Sequence, residues 1–323
     1  MIMGSEQARI RTYGTSANFL GIYDDAGFKV GTLYTTTTAT KSKDGLAITS
    51  TGSIPVPTDE TNLSHVIWKK LLDDRLIERC GLVLDINNSM KKGGLGTSAA
   101  GAVAFVELVD KLYGLSLSPA QKIFYASRSE PNHLDNVLPW VLGGITFSYR
   151  ARDNKDLPYE RFDPPPNLHS ALVVPLDIEK DGGTAGARNA LADLQHTDAE
   201  ESRIVYLKAT AIEAVKGNDF TSLRGVAHEF LKWDRSETFI RNEKGVYKID
   251  IREINKILER HYGGKALLLP SGAGPTLVIH ADEQEITDRA AEDVVGVYKS
   301  GFHSAAAYPA PIRSQPSIDD FVE

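Results

Sequence analysis

Three stretches of the chain gather small, flexible and polar residues in patterns that chemistry can use. The first, "KKGGLGTSAA" (91–100), surrounds Leu95 with Gly93, Gly94 and Gly96, then gives Thr97, Ser98 and Ala99 as a helical pattern begins. A helix start leaves its first N–H groups without partners and carries a partial positive charge, so an anion there can be held by backbone alone. Glycines let a phosphate come close because no Cβ stands in its way. Thr97 and Ser98 add two hydroxyls, a hydrogen-bond donor and a magnesium ligand in waiting. The second stretch, "HLDNVLPWVLGG" (133–144), sets His133, Asp135 and Asn136 close together. The third, "SGAGPT" (271–276), puts Gly272 and Gly274 at the end of an apolar run, where side chains would obstruct a close backbone approach.

On its residues alone the glycine loop has three readings. One is a tight strand-to-helix turn with no ligand. Another is a dinucleotide fingerprint, since Gly94-Leu95-Gly96-Thr97-Ser98-Ala99 fits G-x-G-x-x-A. That pattern needs a second parallel strand ending in an acidic residue about 20 residues on, whereas here one helix leads through "GLSLSP" (114–119) to another. The third is a nucleoside triphosphate site, and not of the Walker type, because no G-K-[ST] follows. The plain turn and the triphosphate site both stay open. Lys91 and Lys92 could meet phosphates as point charges or form a solvated loop. His133 gains interest only from its place before Asp135 and Asn136; His228, His261, His280 and His303 show no H-x-x-x-H spacing.

The elements that must hold these stretches are legible in outline. From Ile10 to Ser53 threonine, tyrosine and β-branched residues predict antiparallel strands, with "SKDG" (42–45) as a hairpin turn between "TLYTTTTATK" and "LAITSTG". Leu63, Val66, Ile67, Leu71, Leu72 and Leu76 recur at helical spacing behind Thr61 or Asn62 as cap. "GLVLDIN" (81–87) predicts the strand that delivers the chain into the glycine loop. After the loop, Ala99, Ala102, Val103, Val106, Val109 and Leu112 mark the buried face of a helix ending near Gly114, and Ser118-Pro119 starts another reaching about Ser129. "NVLPWVLGGITFSYR" predicts a short helix, a glycine turn and a strand. Pro164, Pro165 and Pro166 can continue neither ladder nor helix, which places a domain boundary there: an N-terminal domain over 1–163 and a C-terminal domain over 164–323. Beyond it come a strand "ALVVPL", helices over 198–216, 220–233 and 251–263, and strands "KALLLP" and "PTLVIH" flanking the third stretch. The tail "YPAPIRSQPSIDDFVE" reads as a loose terminus, with an interaction segment as the alternative.

Composition bounds the rest. With 36 basic against 43 acidic residues among 323, the formal net charge of -7 argues against a sequence-independent nucleic-acid binder. The one cysteine, Cys80, excludes an internal disulfide framework and a thiolate zinc cluster. The N-terminus lacks the apolar core of a signal peptide, and no run of apolar residues is long enough to span a membrane. The expectation is a cytoplasmic protein with no nucleic-acid or membrane partner.

The three stretches, in this order, resemble the GHMP kinases, the superfamily that includes galactokinase, homoserine kinase, mevalonate kinase and phosphomevalonate kinase. "GGLGTSAA" is similar to their G-L-G-S-S-A-A phosphate loop and "SGAGPT" to their glycine-rich third motif. Within that superfamily the chain looks most like the homoserine kinases: "SANFLGIYD" (16–24) resembles S-A-N-L-G-P-G-F-D, "HLDNVLPWVLGG" resembles H-P-D-N-V-A-P-A-L-L-G-G, and "TAGAR" (184–188) resembles T-x-x-A-R. Departures are Met90 where a proline is usual, Leu20-Gly21-Ile22 in place of G-P-G, and Pro131 with Asn132 where the family has one residue.

What the resemblance implies is an α+β fold of two domains, a ribosomal protein S5 domain 2-like N-terminal domain and a ferredoxin-like C-terminal domain, with ATP and acceptor between them. The activity implied is ATP-dependent phosphorylation of a small alcohol, L-homoserine first, toward threonine; another alcohol such as mevalonate or a sugar, or an inactive nucleotide-binding regulator, is the alternative. Gly93 to Ala99 would hold the phosphates, Asn62 would line the adenine pocket, and Ser98 with Glu130 would ligate Mg²⁺. Asn18, Asp24, His133, Asp135 and Arg188 would contact the amino acid, with Gly272 and Gly274 walling the site. Asn136 would lie beside the reacting hydroxyl, Arg241 would be a second arginine, and Asp135 would either hold the ammonium or act as base. The oligomeric state is left open, a homodimer included.

Overall fold

The computed structural model describes the chain apart from residues 1–5, 14, 18–23, 28–32, 44, 79, 91–92, 129–133, 149–158, 179–185, 187–188, 235, 248, 273, 302, 315–317 and 323, and apart from the side chains of 16–17, 24–27, 237 and 318–322. The architecture is mixed helix and strand, as expected, with three sheets. In the first, β1 (Gln7–Tyr13) and β4 (Tyr34–Ser42) pair antiparallel, and β6 (Gly81–Asn88) follows β4. Leu82, Leu84 and Ile86 on β6 are buried while Val83, Asp85 and Asn87 face outward, the period of a strand with one dry face.

The predicted hairpin at "SKDG" does not form. β5 (Leu46–Ser50) leaves β4 and pairs parallel with β6, which lies between them. Gly45, at φ 54°, turns the chain so that its carbonyl accepts from Leu82 N at 2.7 Å. The turn therefore hands its ladder to a strand far along the chain. The tail also departs from expectation: its last strand, β13 (Ile318–Val322), pairs antiparallel with β1 and extends this sheet.

The face of the first sheet carries α2 (Thr97–Tyr113), and α1 (Leu63–Asp73) packs on α2. Asn62 caps α1, accepting from Ser64 N at 3.0 Å and donating through Nδ2 to the Pro57 carbonyl at 2.7 Å. The predicted face of α2 is buried throughout, and Gly114 ends it in the left-handed conformation. Burying each such valine or leucine contributes about 1.5–3 kcal/mol, enough for α2 to fix the position of its own N-terminus. α3 (Pro119–Ser127) opens with a capping box from Ser118 to Gln121 and is tied to α2 by Lys122, 2.7 Å from the buried Glu107.

α4 (Leu134–Leu142) packs on the second sheet, β2 (Thr15–Ala17), β3 (Asp24–Gly27), β7 (Ile145–Ser148) and β8 (Tyr159–Phe162), and also on α2. Gly143 and Gly144, both at positive φ, turn it into β7. The third sheet has the order β10 (Ala266–Pro270), β11 (Leu277–Ala281), β9 (His169–Pro175), β12 (Ala305–Pro309), all antiparallel. Its alternating residues serve two cores. Leu172, Val174, Leu267, Leu269 and Val278 join the large core, while Val173, Leu268, Leu277 and Ile279 face Ile254, Leu258, Val294 and Tyr298 of the helices Ile251–Tyr262 and Gln284–Ser300. Among the described residues no helix is long and apolar enough to cross a membrane.

Candidate active site

β6 ends at Asn88, whose buried Oδ1 accepts from Met90 N at 3.0 Å and from Thr35 at 2.7 Å. This anchors the entry to the glycine loop. Leu95, buried in the core, anchors its middle, and its carbonyl accepts from Thr15 N at 3.0 Å. The three glycines between and beside these anchors are each close to another segment. Gly96 is the N-cap of α2 at φ 62°, with no side-chain cap, so the first-turn amides of α2 are left for a ligand. A Cβ on Gly96 would overlap Thr15 Oγ1 and stand 2.6 Å from Asn136 Oδ1; one on Gly94, at φ 91°, would overlap the Ser271 carbonyl. At Gly94 and Gly96 the surroundings leave no room for a side chain, whereas a Cβ on Gly93 would meet Thr276 and Pro275 at ordinary contact distances.

The third stretch is the wall it meets. Ser271 Oγ donates to the Gly94 carbonyl at 2.5 Å, and Thr276 N donates to the Gly93 carbonyl at 3.1 Å. Within the turn, Gly274 N donates to Ser271 O and Ser271 N to Thr276 O, both at 2.8 Å. Gly272 and Gly274 adopt positive φ, and the ring of Tyr247 packs against the Gly274 α-carbon at a spacing that no Cβ could share. Burial keeps the Tyr298 phenol protonated well above its ordinary range, and it donates to Pro275 O at 2.8 Å. Thr276 Oγ1 is buried beside Gly93 with no hydrogen-bond partner among the described residues.

The first turn of α4 brings Asp135 and Asn136 to the same place. Thr15 Oγ1 donates to Asn136 Oδ1 at 3.0 Å, so Asn136 stands against the loop at Gly96. Asp135 is half-buried one position earlier. Pro139, inside the helix, brings no N–H to the Asp135 carbonyl, which loosens the turn that carries both residues. Arg241 is buried on the short helix Glu237–Glu243, whose chain runs on to Tyr247 and thereby to the wall. Asn62 lies at the α1 cap with both ends of its amide engaged. Ser98 is exposed on the first turn of α2.

Asp24 opens β3, paired with Phe147, its side chain outside the described residues. Asn18, Lys91, Lys92, Glu130, His133 and Arg188 also lie outside them. Among the described residues no three His, Cys, Asp or Glu side chains cluster to hold a metal ion. Residue patterns alone did not point to Thr15 or Tyr247, the first a hydroxyl one residue ahead of the "SANFLGIYD" stretch; Ser271 and Thr276 bound the "SGAGPT" stretch, where the glycines alone drew attention.

Residues 62–144, from the α1 cap through the glycine loop to the turn after α4, match the family "GHMP kinases N terminal domain". That segment is a GHMP kinase N-terminal domain. Members of that family are ATP-dependent kinases, which suits uncapped amides beside a loop with no room for a Cβ at Gly94 or Gly96. The chain is 27% identical over 295 residues to a homoserine kinase of Methanopyrus kandleri, an alignment covering 88% of this chain and 92% of the relative. It is 29% identical over 274 residues to a homoserine kinase of Listeria monocytogenes, covering 84% and 88%. Among solved structures, the homoserine kinase of Cytophaga hutchinsonii superimposes with a TM-score of 0.76 at 20% identity, covering 98% of this chain and 97% of that one. The L. major mevalonate kinase gives 0.67 at 17%, covering 95% and 96%. The fold is that of this family.

Proposed function

We propose that this protein transfers the γ-phosphoryl group of ATP to the side-chain hydroxyl of L-homoserine, giving O-phospho-L-homoserine and ADP, a step toward threonine. The observation that carries the reading is the meeting of three distant segments at one point: the loop at Gly93–Gly96, Asn136 on α4, and the Ser271–Thr276 turn. Its substrate class comes from the homoserine kinases to which most of the chain aligns.

Phosphoryl transfer asks a protein chiefly to align donor and acceptor and to stabilise charge on the transferring oxygens. The amides of Gly94, Gly96, Thr97 and Ser98 supply the second need; the Ser271 latch keeps the loop carbonyls turned away from the phosphates, since the Gly94 carbonyl is already spent on Ser271. Asn136, held through its Oδ1 by Thr15, keeps its NH₂ free in direction to meet the acceptor hydroxyl. The acceptor oxygen forms the new bond to phosphorus as the bond to the ADP oxygen breaks, and the hydroxyl proton departs late, to an oxygen of the transferred phosphoryl group and then to solvent, as a loose transition state permits. Asp135 holds the substrate ammonium, and Arg188 with Arg241 grips its carboxylate. Asn18, Asp24 and His133 complete the amino-acid site, and Asn62 borders the adenine. Ser98 and Glu130 would hold Mg²⁺, a small protein share that matches the ion's preference for phosphate and water oxygens. When bound, Mg²⁺ neutralises charge on the phosphates.

The test is ADP release with homoserine, mevalonate and a sugar offered separately. Homoserine should be turned over far faster than either; preference for mevalonate or the sugar, or ATP binding with no turnover of any acceptor, would replace this reading.

A further inference from the structure

Away from the glycine loop, a cavity of about 270 Å³ opens among the helices Phe220–Lys232, Glu237–Glu243 and Ile251–Tyr262. It is a little smaller than the roughly 300–1,000 Å³ of drug-sized ligand sites. Leu231, Phe239 and Ile251 give it apolar walls, and Asn255 and Glu259 line it as well. Asn255 is 6% exposed; its Nδ2 donates to Glu259 Oε1 at 3.4 Å, and its Oδ1 is buried with no hydrogen-bond partner among the described residues. A buried carbonyl oxygen without a donor is uncommon in folded proteins and calls for one.

The charges around the cavity select the kind of donor. Arg252 is paired with Glu243 at 2.6 Å and Asp250 at 3.0 Å, and Lys256 with Glu253 at 2.6 Å, so each of these cations already has a carboxylate partner. Glu259 is matched less firmly. It faces Lys232 at 3.4 Å, on a side chain 67% exposed, and His228 at 3.5 Å, whose ring burial keeps on the neutral side. A carboxylate beside an orphaned carbonyl oxygen, over apolar walls, fits a cation with a hydrocarbon body. We propose that this cavity is a binding site for a small aliphatic or alicyclic amine, its ammonium donating to Asn255 Oδ1 and Glu259 and its hydrocarbon lying against Leu231, Phe239 and Ile251.

Such a ligand would be felt at the active site. Phe239 and Asn242 line the cavity from the same short helix that carries Arg241. Asn242 also donates to Asp250 at 2.9 Å and accepts from Ile251 N at 2.9 Å, joining that helix to the next. Resting on the reading that Arg241 grips the acceptor, occupancy of the cavity alters the KM for homoserine and leaves that for ATP unchanged.

Calorimetric titration of the full chain with cyclohexylamine, at constant ionic strength and without ATP or acceptor, tests the site directly. Saturable one-site binding is expected, weakened about tenfold or more by Asn255→Leu and by Glu259→Gln, strengthened by Lys232→Met, and absent for cyclohexanecarboxylate. Glu259 and Lys232 are exposed enough for their variants to fold. No saturable binding, equal binding of the carboxylate, or affinity unchanged in both Glu259→Gln and Lys232→Met would overturn the proposal. Because the titration needs no turnover, failure of the homoserine assignment leaves its result readable; an unchanged homoserine KM at saturating amine overturns the coupling to Arg241.

Discussion

Thr15 Oγ1 donates to Asn136 Oδ1 at 3.0 Å across 121 positions of sequence, and the α-carbon of Gly96 lies against both groups. One hydrogen bond thus links the strand that enters the second sheet, the helix that carries Asp135 and the loop that opens α2. It makes Thr15 a positioning residue for Asn136. Thr15→Val should lower kcat by roughly two orders of magnitude, the scale of a misplacement of about 1 Å, with little change in the KM for ATP. Thr15→Ser should restore most of the rate, and steady-state kinetics of the pair distinguish positioning from general destabilisation.

Two glycines near one another should respond in opposite ways. Gly96→Ala forces a Cβ into Thr15 and Asn136 at φ 62°, so both thermal stability and kcat/KM should fall sharply. Gly101, inside α2, is different: outside its own helix no atom lies within 4 Å of the place a methyl group would take. Gly101→Ala should therefore stabilise by about 0.5–1 kcal/mol with kinetics unchanged. Urea midpoints and initial rates check both.

Ser271→Ala removes the donor that holds the Gly94 carbonyl. A stability loss of about 1 kcal/mol is expected, with a raised KM for ATP because the loop is then free to turn that carbonyl toward the phosphates. Thr276→Val deletes a buried hydroxyl that has no partner among the described residues. Its stability should hold or rise while ATP affinity falls if the hydroxyl serves the nucleotide, and a thermal-shift titration with ATP reads both.

His280 on β11 is fully buried, 2.7 Å from Ser170 Oγ, and burial pushes its pKa down to about 3. Between that value and the ordinary value near 6.5 the unfolded chain binds a proton that the folded chain refuses. Stability is complete above about pH 6.5 and is lost as pH falls through the window, at up to about 1.4 kcal/mol per unit. His280→Leu should flatten its share of that slope in urea unfolding between neutral and acidic pH.

Local signals were the legible ones. The Asn62 and Ser118 caps, the Gly114 stop and the buried face of α2 are decided within a turn or two of helix, and the sequence shows them. The misread hairpin shows the limit. Whether β5 folds back on β4 depends on β6, whose Leu82 claims the Gly45 carbonyl, and no residue of the turn announces that partner. The Gln284–Ser300 helix escaped notice because its buried face is Thr287, Ala290, Ala291, Val294 and Tyr298, too small and polar for a strong periodic signal, and because Glu283 gives it no side-chain cap. At the site, the glycines were visible as a need for bareness. The "SGAGPT" turn was legible as a wall, but that Thr15 and Tyr247 press on Gly96 and Gly274 was not, since those contacts exist only once distant segments meet.

The central claim is that the loop beside Asn136 receives the phosphates of ATP. Backbone amide shifts of the ¹⁵N-labelled chain, recorded while a non-hydrolysable ATP analogue and Mg²⁺ are added and then homoserine, test it most directly. The account predicts large, saturable shifts at Gly94, Gly96, Thr97 and Ser98 with the nucleotide, followed by shifts at Asp135 and Asn136 with homoserine. Nucleotide shifts confined to other parts of the chain, with the Gly93–Ser98 amides unmoved, would contradict it.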